Sequence, residues 1–199
     1  MAELLAASFT QLLPRNAVLF EQGDEPQVLH MLLEGRLGLQ ASAETHGATM
    51  VEIFGPGEIV LAPAVVLSLP YLASAVALTE IRVLMIPADA FRDGIGEDLA
   101  LARASIGLLA RHWRLMVDQV VDLKLRGAEQ RVARFIARRV SEEDGAAKVV
   151  LDEPRSAIAA RLGMTPETLS RALATLEAKG KLRRSPDGAT IADRTALGF

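Results

Sequence analysis

Apolar positions along the 199 residues keep more than one period. From Val18 to about Pro87 they come in short runs: VLF, VLHMLL, LGLQA, MVEIF, ASAVAL and IRVLMI. The stretches between them, EQGDEP, EGR, THGAT and GPGE, are polar or carry glycine. Short runs punctuated in this way predict a small all-β roll or barrel. From about Glu97 to Lys124 the period becomes 3.5. Leu99, Ala102, Ile106, Leu109, Trp113, Met116, Val120 and Leu123 fall at alternate steps of three and four, and all are apolar. Such a seam over four heptads predicts a long helix that pairs with a second one in a parallel homodimer. A helix buried on its own domain would show a broader stripe, and both readings can hold together. Leu101, Ser105, Leu108, His112, Leu115 and Gln119 make a flanking row suited to packing on the roll of the same chain.

Shorter patterns complete the outline. Residues 3–13 read as an amphipathic helix ending near Pro14, and Pro87, Ala88 and Asp89 open a helical stretch through Phe91. Near Arg126-Gly127 the long helix is expected to break at a hinge. A further helix is expected from Ala128 to about Val140, with Val132, Phe135, Ile136 and Val140 inward. Its Arg131, Arg134, Arg138 and Arg139 would face outward, as a solvated face or as phosphate contacts. SEEDG reads as a loop and KVVLD as a short strand.

RSAIAARLGMTPETLSRALATL, residues 155–176, is the most specific segment. Ile158, Ala159 and Leu162 give one apolar face, and Gly163 stops the first helix where a left-handed residue is cheap. Thr165 is placed as an N-cap and Pro166 at the first helical position, where its missing N–H is harmless. Leu169, Leu173 and Leu176 then turn inward and leave Glu167, Ser170 and Arg171 outside. This spacing is that of a helix-turn-helix whose second helix enters the DNA major groove. The alternative is an ordinary helical hairpin. KGKLRR, SPDG and ATIAD follow as a β-hairpin, a wing, with Lys179, Lys181, Arg183 and Arg184 available to backbone phosphates.

Charge divides along the same line. Residues 1–123 carry seven Lys and Arg against fifteen Asp and Glu, a balance of −8, and residues 124–199 carry fifteen against ten, a balance of +5. An acidic front and a basic tail fit a sensor joined to a nucleic-acid module. The sequence has no cysteine, which excludes disulfides, thiolate catalysis and a Cys-ligated iron–sulfur cluster. Three histidines without metal-ligand spacing and no serine in a nucleophile motif argue against an enzyme. No run of about 18 uncharged apolar residues and no cleavable signal pattern occur, so a cytoplasmic protein without membrane contact is expected.

NAVLFEQGDEPQVLHMLLEGRLGL, VEIFGPGEIV and SAVALTEIRVLMIPADAF, followed by the long helix and the winged helix-turn-helix, resemble the Crp/Fnr transcription regulators over nearly the whole chain. The resemblance implies an α+β fold. It comprises a cyclic-nucleotide-binding-like β-roll over 1–96, a dimerisation helix over 97–125 and a winged helix-turn-helix over 126–199. It also implies double-stranded DNA, a second copy of the chain and RNA polymerase as partners. Cyclic-nucleotide binders of this family carry Gly-Glu after the GPGE-like turn and, later, an Arg beside Ser/Thr-Ala. Here those positions are Leu61-Ala62 and Ala73, and no Lys or Arg occurs between Arg36 and Arg82. A cyclic phosphate would lack a charged partner in an apolar pocket, a cost of several kcal/mol, so cyclic AMP is not the expected effector.

APAVVL and PYLASA instead resemble the denitrification and nitric-oxide-responsive branch, which implies a haem in an apolar pocket. Haem needs an axial ligand. His30 lies in an apolar strand as a packed core residue, His46 in a hairpin turn, and His112 on the helix face toward the roll. The expected effector pocket is drawn around Leu61, Ala73, Leu108, His112 and Leu115. For DNA, Thr165, Glu167, Thr168, Ser170, Arg171, Lys181 and Arg183 are the candidate contacts. TPETLSR resembles the Glu-x-x-Ser-Arg reading set of the Fnr side of the family, which implies TTGAT-like half-sites in an inverted repeat. The rival reading is a regulatory module that acts through protein contacts.

Overall fold

The computed structural model of the protein describes residue 4 and residues 6–43, 46–143, 146–185 and 188–191. The chain divides into two compact units, Met1–Val117 and Asp118–Phe199.

In the first unit, β1 (Phe9–Leu13), β2 (Val18–Phe20), β3 (Val28–Glu34), β4 (Leu37–Ala43), β5 (His46–Phe54), β6 (Ile59–Val60), β7 (Ser74–Ala77) and β8 (Ile81–Pro87) form two antiparallel sheets. Their orders are β1-β8-β3-β6 and β2-β7-β4-β5. Period-two alternation is clear in β8, where Ile81 and Val83 are buried and Arg82 is exposed. Phe20, Leu32, Leu37, Phe54, Ile81 and Val83 from both sheets meet in the interior of the roll. Each fully buried aliphatic side chain there contributes about 1.5–3 kcal/mol over an exposed one. Gly35 turns β3 into β4 at φ +82°, where a Cβ would lie 2.1 Å from the backbone oxygen of Glu80. Only glycine fits there.

Helix α1 (Ala62–Leu67) lies between β6 and β7, and α2 (Ala88–Glu97) and α3 (Leu99–Leu125) follow β8. The Asp98 carboxylate caps α3 by accepting from the backbone N–H of Ala100 at 2.8 Å and of Leu101 at 3.1 Å. Those two bonds hold its pKa below the usual value. A second cluster, with Leu29, Val65, Ile86 and Phe91 at its centre, is covered in part by Leu101, Leu108 and Leu109 of α3.

Two expectations change in this unit. Leu4 and Ala6 are helical, but Phe9–Leu13 is a strand paired with β8 from Phe9–Met85 to Leu13–Ile81. A five-pair ladder and the strand-forming Phe9 and Thr10 outweigh a weak helical pattern. His46 opens β5 opposite Ala43 rather than standing in the turn. The residues between, 44 and 45, and the His46 side chain lie outside the described residues.

The second unit begins inside α3 and continues with α4 (Ala128–Ala137), β9 (Ser141–Glu143), β10 (Ala146–Val150), α5 (Arg155–Arg161), α6 (Pro166–Ala178), β11 (Leu182–Ser185) and β12 (Gly188–Ile191). Its sheet order is β11-β12-β10-β9. Gly127 donates its N–H to the Gln130 side chain at 3.1 Å, fixing the start of α4. That helix ends at Ala137, short of the expected Val140. SEEDG begins as strand β9, paired with β10 from Ser141–Lys148 to Glu143–Ala146, because Asp-Gly is a hairpin signal as well as a loop signal. The central residues of the SPDG turn and everything after Ile191 lie outside the described residues.

Candidate nucleic-acid interface

α5 and α6 meet as the spacing of small and apolar residues predicts. Ala159 is fully buried, as are Ile158, Leu162, Leu169, Leu173 and Leu176 within a few per cent. Gly163 adopts φ +63°, and a Cβ there would lie 2.7 Å from Leu123 Cδ2 and 3.1 Å from Arg131 Nη1. The left-handed backbone demands glycine, whereas the two near atoms are side-chain ends free to shift. Thr165 caps α6, its hydroxyl accepting from the Thr168 N–H at 3.3 Å, and Pro166 follows at the helix start. Thr165, Glu167, Ser170 and Arg171 are exposed and Thr168 is half-buried. The Glu167 carboxyl is held below its usual pKa, first by the Thr165 hydroxyl, then by a backbone N–H, with Arg171 adding its charge. An exposed anion and an exposed cation therefore stand on one face of α6, next to its N-terminus.

The other basic residues sort differently from expectation. Arg131 donates to the carbonyls of Leu162 and Gly163 and so caps the end of α5. Arg134 binds both oxygens of Asp118 at 2.8 Å and approaches Asp122 at 3.0 Å. Arg138 pairs with Asp118, and Arg126 with Asp122. Arg139 pairs with Glu153 and lies 4.2 Å over the Phe135 ring. Arg131, Arg134, Arg138 and Arg139 are therefore engaged within the second unit rather than forming a solvated face. Arg134 and Arg138, with Arg126, join the last turns of α3 to it. Lys179 is likewise taken by Glu129, at 2.6 Å. Lys181 is half-buried and Arg183 exposed; the Arg184 side chain lies outside the described residues. Asp122 is the most buried member of the network it forms with Asp118, Arg126, Arg134 and Arg138. Asp122→Ala should cost about 2–3 kcal/mol of stability in the second unit, since Arg134 and Arg126 lose a charged partner while Asp118 remains. Urea unfolding or hydrogen exchange of α4 amides measures it.

On α3, Leu99, Ile106 and Trp113 are 65–71 % exposed. Met116, Val120 and Leu123 are exposed too, while Leu109 is half-buried against the second cluster. Val117 and Leu125 widen the exposed stripe beyond the strict heptad count. Of the flanking row, Ser105 is buried, and Leu101, Leu108, His112, Leu115 and Gln119 are half-buried.

The five residues of the expected effector pocket do not form one cluster. Ala73 and Leu61 belong to the roll interior, and Leu108 to the second cluster. His112 is drawn below its usual pKa by burial, then by Arg111, with the buried Glu52 of β5 opposing. His30 is 4 % exposed, its ring 5.4 Å from Phe20, and Phe20 stacks on Tyr71 at 3.8 Å. Leu61 is held at φ +45°, a left-handed conformation that costs a non-glycine residue about 1–2 kcal/mol.

The sequence matches the family described as cyclic nucleotide-binding domain over residues 10–98 and the Crp-like helix-turn-helix domain over residues 130–198. It is 26 % identical to a CRP-like cAMP-activated global transcriptional regulator of Mycobacterium tuberculosis, over 92 % of this chain and 84 % of that protein. It is 29 % identical to an anaerobic regulatory protein of Pasteurella multocida, over 92 % and 68 %. Among solved structures, a putative cyclic nucleotide binding protein from Ruegeria pomeroyi matches at 30 % identity and TM-score 0.71, covering 98 % of this chain and 86 % of that one. FixK2 from Bradyrhizobium japonicum shares the fold at TM-score 0.84 and 20 % identity, covering 96 % and 95 %.

Proposed function

The chain belongs to the Crp/Fnr-type transcription regulators, and from that premise we propose that it works as a homodimer reading an inverted repeat of TTGAT-like half-sites. The observation that carries this reading is the exposed Glu167–Ser170–Arg171 set on the capped α6. Arg171 would donate two bonds to guanine O6 and N7, and Glu167 would accept from cytosine N4. The exposed stripe on α3 supports a partner helix, which brings two reading heads to half-sites about one helical turn apart. RNA polymerase is the expected further partner, in the cytoplasm.

A gel-shift titration on a duplex with two TTGAT half-sites tests the reading. Arg171→Ala should cost about 1–3 kcal/mol and relax selection at its guanine. Equal loss on all sequences would make Arg171 a phosphate contact, and absence of any salt-dependent binding would favour a module acting through protein contacts.

For the signal, the apolar Ala62 and Ala73 at the cassette positions argue against a cyclic nucleotide. Leu61 keeps a left-handed backbone there without the chemistry that holds the sugar and phosphate. Of the two histidine side chains described, His112 has the half-buried place and the neutral form that a haem ligand needs. His30 is enclosed in the roll core. With His112 as ligand and Leu108 and Leu115 beside it on α3, a haem would supply an iron that binds small gases such as nitric oxide. An effector in this region would alter how the flanking row packs on the roll. The seam on the same helix would move with it and reorient the DNA-binding domains. An absorption spectrum during haem titration, compared with His112→Ala, tests the ligand; a featureless spectrum removes haem.

A further inference from the structure

We infer that Thr168 is a positioning residue for base reading, its hydroxyl linking the Arg171 guanidinium to the N-cap and, through it, to Glu167. Two contacts in the first turn of α6 carry this, with one electrostatic effect beside them. Arg171 Nη2 donates to Thr168 Oγ1 at 3.2 Å. Thr168 Oγ1 and Thr165 Oγ1 are 3.2 Å apart. The Thr165 hydroxyl is in turn the first cause that holds the Glu167 carboxyl below its usual pKa.

Proton counting gives the chain a direction. Each hydroxyl has one proton to donate. A carboxylate only accepts, so the Thr165 proton goes to Glu167. Thr165 Oγ1 then accepts from the Thr168 N–H and from the Thr168 hydroxyl. With its proton spent on Thr165, Thr168 Oγ1 turns its lone pairs to the guanidinium. The order Arg171 to Thr168 to Thr165 to Glu167 therefore has every proton assigned and ends on the two charged residues of the reading face.

An exposed arginine loses rotamer freedom when it docks on a base, and a side chain already held loses less. The spacing explains why Thr168 can hold it: positions 168 and 171 are three apart on one helix face, so their side chains meet. Thr168 is half-buried while Arg171 is exposed, so the hydroxyl is the fixed end of the pair. The N-cap does double service, closing α6 and anchoring the relay.

The inference rests on Arg171 reading a base, and the test separates the two. The full chain is titrated on the palindrome it selects from a random pool, and on the same duplex with the G·C pair read by Arg171 inverted in both half-sites. Wild type discriminates between them, and Arg171→Ala abolishes the difference. Thr168→Val keeps the β-branched shape and the N–H that bonds Thr165, yet removes the hydroxyl. It should lower the discrimination ratio about 3–10-fold and leave the salt slope unchanged. Thr168→Ser should restore the ratio. If Thr168→Val discriminates as wild type does while Arg171→Ala fails to, the positioning role is wrong and base reading stands. If Thr168→Val weakens both duplexes equally with a smaller salt slope, Thr168 is a phosphate contact and the inference falls. If Arg171→Ala leaves discrimination intact, the base-reading assignment itself fails and this one with it.

Discussion

Trp113→Glu is expected to convert the protein to a monomer and to weaken its binding to an inverted repeat by about 100-fold or more. Trp113 is 71 % exposed at the centre of the α3 stripe, with Ile106 67 % and Val120 50 % exposed on either side along the helix. An indole that buries on the order of 150–250 Å² in a partner interface contributes several kcal/mol. A carboxylate in its place would have to lose its hydration without a partner, which a seam of Leu, Ile, Met and Val does not offer. DNA affinity follows because each reading head binds one half-site. When the two heads are joined, the second contact is intramolecular, and separation forfeits that advantage. The folded unit should survive, since a residue this exposed does not hold its own domain together, and circular dichroism checks that. Sedimentation velocity reads the dimer and a gel shift the affinity. A Trp113→Glu protein that remains dimeric at micromolar concentration would remove the seam from the argument.

How far the fold was legible depends on how local each determinant is. Gly163, Thr165 and Pro166 each constrain the backbone within one turn of themselves, and the turn of the helix-turn-helix forms where they place it. The apolar stripe of α3 is equally local, a matter of spacing on one helix, and Val117 and Leu125 add to its exposed side chains. β1 failed because its partner β8 lies far along the chain, and nothing within FTQLL announces the pairing. The arginines between positions 131 and 139 failed for a related reason. A long cation looks solvated until its acid is known, and Asp118, Asp122 and Glu153 stand on other elements. A signal did exist: Arg134 and Arg138 are four apart, and so are Asp118 and Asp122, so two facing helices present matched rows. For the expected effector residues, spacing along the chain says little about which core a half-buried side chain joins: Leu61 packs on the roll interior and Leu108 on the second cluster.

His30 should give the first unit a stability that falls as pH drops from about 6.5 to about 4. The imidazole points into the roll from β3, is 4 % exposed, and its Nδ1 has no hydrogen-bond partner among the described residues. Burial disfavours the charged ring and pushes its pKa from 6.5 down to about 4. In the unfolded chain the ring titrates at its ordinary value. Above pH 6.5 both states are neutral and the group adds no pH dependence. Between pH 6.5 and 4 the unfolded chain binds a proton that the folded chain refuses, so stability declines as pH falls, by about 1.4 kcal/mol per unit. The accumulated loss is about 3 kcal/mol by pH 4, and below that the contribution is flat because both states are charged. Carboxylates also titrate in this range, so the comparison must isolate the ring. His30→Phe keeps an aromatic beside Phe20 and removes the titration. Hydrogen exchange of β3 and β8 core amides, measured at pH 7 and pH 4.5 in both proteins, follows this unit alone. The variant should lose about 2–3 kcal/mol less than wild type over that interval. Equal losses in the two proteins would mean that His30 becomes charged inside the fold, and that the Phe20–Tyr71 stack beside it tolerates a cation.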